Sequence, residues 1–347
     1  MEIPDILFRT WEGKMEIAVR LQLLGILLVA ASPASFAGFI VDAYGVNDSG
    51  LIVGDVYNGT TDQGYVYNPA TNAYTFINPP GSANSQAIGI NDSGQIVGVY
   101  GNSTGNYGFL YSGGTYTTIS ALGVLQYTGS QSFIGNGGGT TAAGINDSGE
   151  IVGVWTNSSG NGYGFTYAGG TFTGTNISDS ANYTVLYGVN DSGLISGYTI
   201  TFPGGVRTYS SFLYNGTTFT PIAYPGAAST IVQGINDSGE AVGFYTLAGQ
   251  TWGFTYKNGT YTSVMYPGSS ETDLLGISNN GEIVGSYTCS SGTCSLSDPA
   301  FFATPTQNGY SFTTINPPAP EPCTAVLLGS GLLAMFCAAR RRARNRP

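Results

Sequence analysis

Between residues 38 and 318 aromatic and β-branched residues alternate with polar ones in short runs, bounded by Gly, Asn, Asp or Ser. Tyr65-Val66-Tyr67, Phe109-Leu110-Tyr111, Phe165-Thr166-Tyr167, Phe212-Leu213-Tyr214 and Phe254-Thr255-Tyr256 have the period of two that puts successive side chains on opposite faces of a strand. Gly113-Gly114, Gly169-Gly170, Asn215-Gly216 and Asn258-Gly259 follow four of them, each ahead of a further short run such as Tyr116–Ile119 or Tyr261–Val264. A Gly-Gly or Asn-Gly pair between alternating runs predicts a β-hairpin. Helix formers are scarce in this body, and the expectation is an all-β fold.

About 20 residues before each aromatic run stands a ten-residue line. Residues 45–54 read Gly-Val-Asn-Asp-Ser-Gly-Leu-Ile-Val-Gly, and close copies begin at Gly89, Gly144, Gly188, Gly234 and Gly276. The spacings are 44, 55, 44, 46 and 42, and the last copy drifts to Ile277-Ser278-Asn279-Asn280-Gly281. Each unit reads as strand, Asn-Asp-Ser-Gly turn, strand, variable loop, aromatic strand, hairpin turn and short strand. Four strands in a unit of roughly 46 residues make the blade of a β-propeller. Six blades can close into a ring, which removes the unpaired edges of a linear stack. The alternative is an open β-solenoid, whose repeats are usually shorter. Two closures are open: Phe39-Ile40-Val41 could give an outer strand to the sixth blade, or Phe312 to Ile315 could complete it.

Composition sharpens this picture. Charged residues make up 9% of the 347, against about 25% in ordinary soluble domains. Of the ten Lys and Arg, only Arg207 and Lys257 fall in the body, against fifteen acids, for a formal charge of −13. Such a body repels nucleic acid and anionic lipid and can attract cations.

The two ends depart from the strand pattern. Leu21–Ala34 is an apolar run behind Arg20, and Ser35-Phe36-Ala37 places small residues where a signal peptidase cuts, so residues 1–37 read as a secretion signal whose true start is Met15. At the other end Pro320-Glu321-Pro322 precedes an apolar stretch, Val326–Ala339, and then Arg340, Arg341, Arg342 and Arg344. The stretch is just long enough for a membrane helix with its positive end inside. In this three-part order residues 319–347 resemble the PEP-CTERM sorting signals of Gram-negative bacteria, with Cys323 where a small residue is usual. The resemblance implies export, transient inner-membrane anchoring and processing by an exosortase near Pro320-Glu321-Pro322. Cys289 and Cys294 flank a short loop and, in an exported chain, are expected to pair as a disulfide.

The repeated lines over residues 45 to about 315 resemble the HAF-type extracellular repeat, which implies an exported propeller-like protein and no known activity. Among candidate sites, Asp48, Asp92, Asp147, Asp191 and Asp237, with Asn280 taken as their counterpart in the sixth unit, could offer oxygens to Ca²⁺. One Asp per turn is few for calcium, and the same residues suit a β-turn whose side chains bond their own backbone. Trp155, Trp252, Tyr100, Tyr163 and Tyr245 lie near variable loops, where aromatics can stack on sugar rings; packing between blades explains them equally. The longest insert, Ser120 to Thr141, is a further place for specificity. The chain has no His, and its acids suggest no nucleophile–base pair, so it is read as a non-enzyme. The resulting expectation is a monomeric protein of the cell surface or exopolysaccharide matrix, structural or interacting with extracellular polysaccharide, without nucleic acid as a partner. The alternatives are a polysaccharide-degrading enzyme on the same scaffold or a protein–protein scaffold.

Overall fold

The computed structural model describes residues 40–121, 139–157, 159–175, 183–289 and 299–316. The expected signal at 1–37, the sorting tail at 319–347, Cys294 and most of the insert lie outside the described residues. Those described carry 24 strands and one short 3₁₀ turn at Pro203–Gly205, and none of their helical structure is long and apolar enough to cross a membrane.

The first blade is a four-stranded antiparallel meander of β1 (Ile40–Val46), β2 (Ile52–Tyr57), β3 (Asp62–Asn68) and β4 (Ala73–Ile77). The same order repeats five times, with inner strands at Asn84–Ile90, Gly139–Ile145, Tyr183–Val189, Ser229–Ile235 and Ser269–Ile277. Single parallel bridges, Asn106 to Gly139 and Gly162 to Tyr183, tie the second blade to the third and the third to the fourth. The result is a ring of six radial sheets, and the solenoid is set aside.

Closure follows the second of the two expected routes. The sixth blade completes itself with Gly309–Thr314, while Ile40–Val46 is the inner strand of the first blade. Among the described residues no strand is exchanged across the seam. Instead Val41 and Tyr65 of the first blade share a core with Val284, Ala300 and Ile315 of the sixth, and the Tyr74 hydroxyl donates to the Asn316 carbonyl.

The recurring residues of the ten-residue line have separate mechanical causes. Its last Gly faces the aromatic of the third strand in register: Gly54 opposite Tyr65, Gly98 opposite Phe109, and so on to Gly285 opposite Phe301. A Cβ on Gly98 would come within 2.0 Å of the Gln86 carbonyl and 2.8 Å of the Phe109 ring. Glycine therefore opens the floor on which each fully buried ring lies; removing such a ring costs about 3–5 kcal/mol. The line's first Gly stands where the six inner strands crowd the axis. A Cβ on Gly144 would meet the Tyr187 carbonyl at 2.5 Å and the Gly188 Cα at 3.1 Å.

Candidate binding face

The axis has two different ends. At one, the Asn-Asp-Ser-Gly turns meet. Each turn is built as its sequence dictates: the Asn47 side-chain oxygen accepts the amides of Ser49 (3.1 Å) and Leu51 (3.0 Å), and Gly50 takes φ 73°. Neighbouring turns are then laced together. The Asn47 amide group donates to the Asn91 carbonyl at 3.1 Å, and Asn91, Asn146, Asn190 and Asn236 donate onward in the same way at 3.0–3.1 Å. In parallel the Asp48 backbone N–H donates to Asp92 Oδ1 at 2.8 Å, and the pattern runs through Asp147, Asp191, Asp237 and Asn279. Asn279 N–H closes it on Asp48 Oδ1 at 2.7 Å.

This belt corrects the alignment of the sixth copy. Asn279, not Asn280, occupies the Asp position; Ser278 stands in the Asn position, and Asn280 reaches over to the Asp48 carbonyl at 2.9 Å. The five aspartates are thus brought together, but around a circumference, with one oxygen of each on a neighbour's backbone. Among the described residues no three Asp, Glu or Cys side chains converge on a point able to hold a metal ion. Burial, then the charges of Asp48 and Asp147, raise the Asp92 carboxyl above its ordinary range.

Of the predicted sugar-stacking aromatics, Trp155 and Tyr245 are walls rather than platforms, while Tyr100, Tyr163 and Trp252 are half-buried. Trp155 is 3% exposed and stacks on Tyr163 at 4.8 Å; Tyr245 is 4% exposed and stacks on Tyr224 at 3.6 Å. Trp252 faces Tyr245 in register and packs on the core between the fourth and fifth blades, and Tyr100 packs between the first and second with Tyr107 at 5.7 Å. Packing of one blade on the next claims the faces of Trp155 and Tyr245 and covers the other three in part.

At the opposite end, the mouth, the copies stop agreeing. Three residues before the first Gly the inner strands carry Asp42, Gln86, Thr141, Val185, Ile231 and Asp273. Across each strand pair they face Asp55, Val99, Val154, Tyr198, Phe244 and Ser286. Only the first blade opposes two carboxylates. Asp55 is 2% exposed, and its Oδ1 is buried without a hydrogen-bond partner. Burial first, then the charges of Asp42 and Asp62, push its carboxyl up to about 7, against the lowering pull of hydrogen bonds to Tyr44 and Gln86. Burial and the same two carboxylates, Asp55 and Asp42, raise the Tyr44 and Tyr187 hydroxyls, which stand on the opposed first and fourth blades.

Two clefts open on this face. One, of about 310 Å³, lies between the sixth and first blades beside Asp42, Glu271 and Asp273. The other, of about 300 Å³, spans the first three blades. Asp62, Asn84, Gln86, Asn106, Thr141 and Thr156 supply its polar groups, and Val99 and Val154 its apolar floor. Gln86 belongs both to this cleft and to the hydrogen bonding of Asp55. The sequence reads Asp55 and Asp62 as acids in turn-like contexts, whereas they lie in β2 and β3; Asp42 and the rest of this lining were missed. The available signal was disagreement among the six copies just outside the recurring line. Gly139 and Thr141, where the long insert re-enters the sheet, are its points of contact with that expectation among the described residues.

Six four-stranded blades closed around one axis define a six-bladed β-propeller. No protein-family model matches the chain, and no curated protein does. Among solved structures it is similar to a mutant of the Aleuria aurantia lectin in complex with Fucα1-6GlcNAc, at 13% identity and TM-score 0.51, over 84% of this chain and 100% of that one. It is also similar to the β-propeller domain of the Trilobed protease from Pyrococcus furiosus (9%, TM-score 0.44, 83% and 98% covered) and to TolB from Acinetobacter baumannii (12%, TM-score 0.49, 81% and 64%). At these identities the likeness shows the fold alone.

Proposed function

We propose that this propeller is an exported, non-enzymatic protein of the cell surface or exopolysaccharide matrix of a Gram-negative bacterium, and that it binds glycan at the mouth. The observation carrying this reading is the cleft across the first three blades, in which amide and hydroxyl groups surround two valines. Paired donors and acceptors suit the hydroxyls of a sugar ring, and an apolar floor suits its C–H face. The secretion signal, the exosortase-processed PEP-CTERM tail, the transient inner-membrane stage, the Cys289–Cys294 disulfide and a monomeric state complete the proposal on the sequence grounds given above.

The test is a glycan array probed with the full chain, with and without Ca²⁺, repeated for Asn84→Ala and Gln86→Ala. Binding that both variants weaken supports the cleft; absence of binding under every condition removes the reading. One observation favours an enzyme instead: two carboxylates face each other in the first blade, and one is held near neutrality, as a general acid would be. Burial of Asp55 stands against it, since a catalytic acid must reach its substrate. New reducing or unsaturated ends in a polysaccharide incubated with the chain, lost in Asp55→Asn, would reverse that judgement.

A further inference from the structure

We propose that the glycan taken at the cleft across the first three blades is a cationic one, a polysaccharide whose amino sugars carry free, protonated amines. This rests on the glycan reading above and adds the ligand's charge to it.

Two features of the cleft point the same way. Its lining holds one charged group, the Asp62 carboxylate, among neutral amides and hydroxyls. Among the described residues of the first three blades nothing offsets that charge, because no Lys or Arg occurs between residues 40 and 175. The two cations of the body are elsewhere: Arg207 lies over the Phe202 and Tyr209 rings of the fourth blade, and Lys257 of the fifth stands 3.7 Å from Glu240 and 3.0 Å from the Ser238 hydroxyl.

The consequences differ by ligand class. A uronic-acid chain would bring its carboxylates against Asp62 with no cation to receive them, a repulsive arrangement. A neutral chain gains its hydroxyl hydrogen bonds and nothing more. An ammonium group has three donors and no acceptor, and the Asp62 carboxylate, the Gln86 amide oxygen and the Thr141 hydroxyl in the lining are acceptors of the kind it needs. Charge-assisted hydrogen bonds are roughly twice as strong as neutral ones, so a preference of about tenfold for the free amine over its acetylated form is the expected scale.

The experiment is titration of the full chain, at pH 6 and at low and high salt, with four probes: a chitosan oligosaccharide, its fully N-acetylated counterpart, an oligo-uronate of the same length and an oligolysine of matching charge. The expected result is chitosan about tenfold tighter than the acetylated form, with no uronate binding and weak oligolysine binding. Asp62→Asn should bring the two sugar affinities together by weakening the chitosan probe about tenfold, and Asn84→Ala should weaken both. Equal binding of amine and acetylated sugar, or binding of the uronate, overturns the cationic assignment and leaves the glycan reading standing. Oligolysine binding as tight as chitosan, or a preference that survives Asp62→Asn, shows attraction to the acidic body and overturns it too. Failure of every sugar probe removes both readings together.

Discussion

The two ends of the propeller axis are made from the same six inner strands and use them in opposite ways. At the turn end every copy presents nearly the same residues, and those residues are consumed by one another: each Asn and Asp carries a hydrogen bond from one blade to the next, and the belt returns to Asp48 through Asn279. At the mouth the equivalent positions hold Asp, Gln, Thr, Val, Ile and Asp, and two clefts open between them. Uniformity at one end is what closing a ring requires, since each interface must repeat the last. Divergence at the other is what a ligand requires, since a site must differ from its surroundings. The most visible motif of the chain therefore belongs to assembly.

That contrast can be broken most severely at the axis itself. Gly144→Val would force a side chain into the 2.5 Å gap to the Tyr187 carbonyl, and a loss of at least about 3 kcal/mol, or failure to fold, is expected in chemical denaturation. Next in size is Asn146→Ala. It removes one of the two donors to the Asn190 carbonyl, which keeps the Gly193 amide, and the acceptor of the Glu150 amide and Ser148 hydroxyl, for a loss of about 1–3 kcal/mol. A loss under about half a kcal/mol would mean that the belt is ornamental to stability.

Asp55 tests the mouth through pH. Its folded carboxyl lies near 7, above the ordinary 3.8, so between those values the folded chain holds a proton that the unfolded chain has released. Stability from this group therefore falls as pH rises through the window and levels off above about 7. Asp55→Asn removes that dependence. By pH 8 the variant should be more stable than the parent by an amount on the order of 1–3 kcal/mol, with the two melting curves converging toward pH 4. Melting temperatures that run parallel across the range would show that Asp55 titrates normally.

Asn279→Asp makes the sixth turn like the others. It exchanges the 2.8 Å bond from the Asn279 amide to Asp237 Oδ2 for a sixth carboxylate beside two more, and should cost about 0.5–1 kcal/mol, less at high salt. At the small end, Asn84→Ala in the cleft removes the acceptor of the Gly101 amide at 3.0 Å and should cost about 0.5–1 kcal/mol while lowering glycan affinity. A large loss of stability there would mean that the lining is structural.

Much of this architecture was legible in the sequence. Aromatic–polar alternation and Asn-Gly or Gly-Gly pairs marked the hairpins because a strand's faces alternate with period two and primed turns need positive φ. The Asn-Asp-Ser-Gly line marked the turns because Asn bonds its own backbone locally. The aromatics were harder: Trp155 and Tyr245 carry the same letters whether they meet a sugar or the preceding blade, and only the buried interfaces between blades chose the latter. Counting also misplaced the sixth aspartate position by one residue, because Ser278 broke the letter pattern while the backbone bonds did not change.

What the sequence by itself determined is therefore the unit, its four strands and the number of copies, since these depend on contacts within about 46 residues. What tertiary structure decided is everything joining one unit to another. The register slip beside the line's first Gly recurs in all six blades and sets Asp42 opposite Asp55 within the first, so it belongs to the unit. Whether a side chain meets the neighbouring blade or the mouth depends on ring closure, which is not encoded in a period. The belt of Asp48 and its counterparts and the cleft around Asp62 are both products of distant residues meeting: one closes the ring with repeated parts, and the other opens where the parts differ.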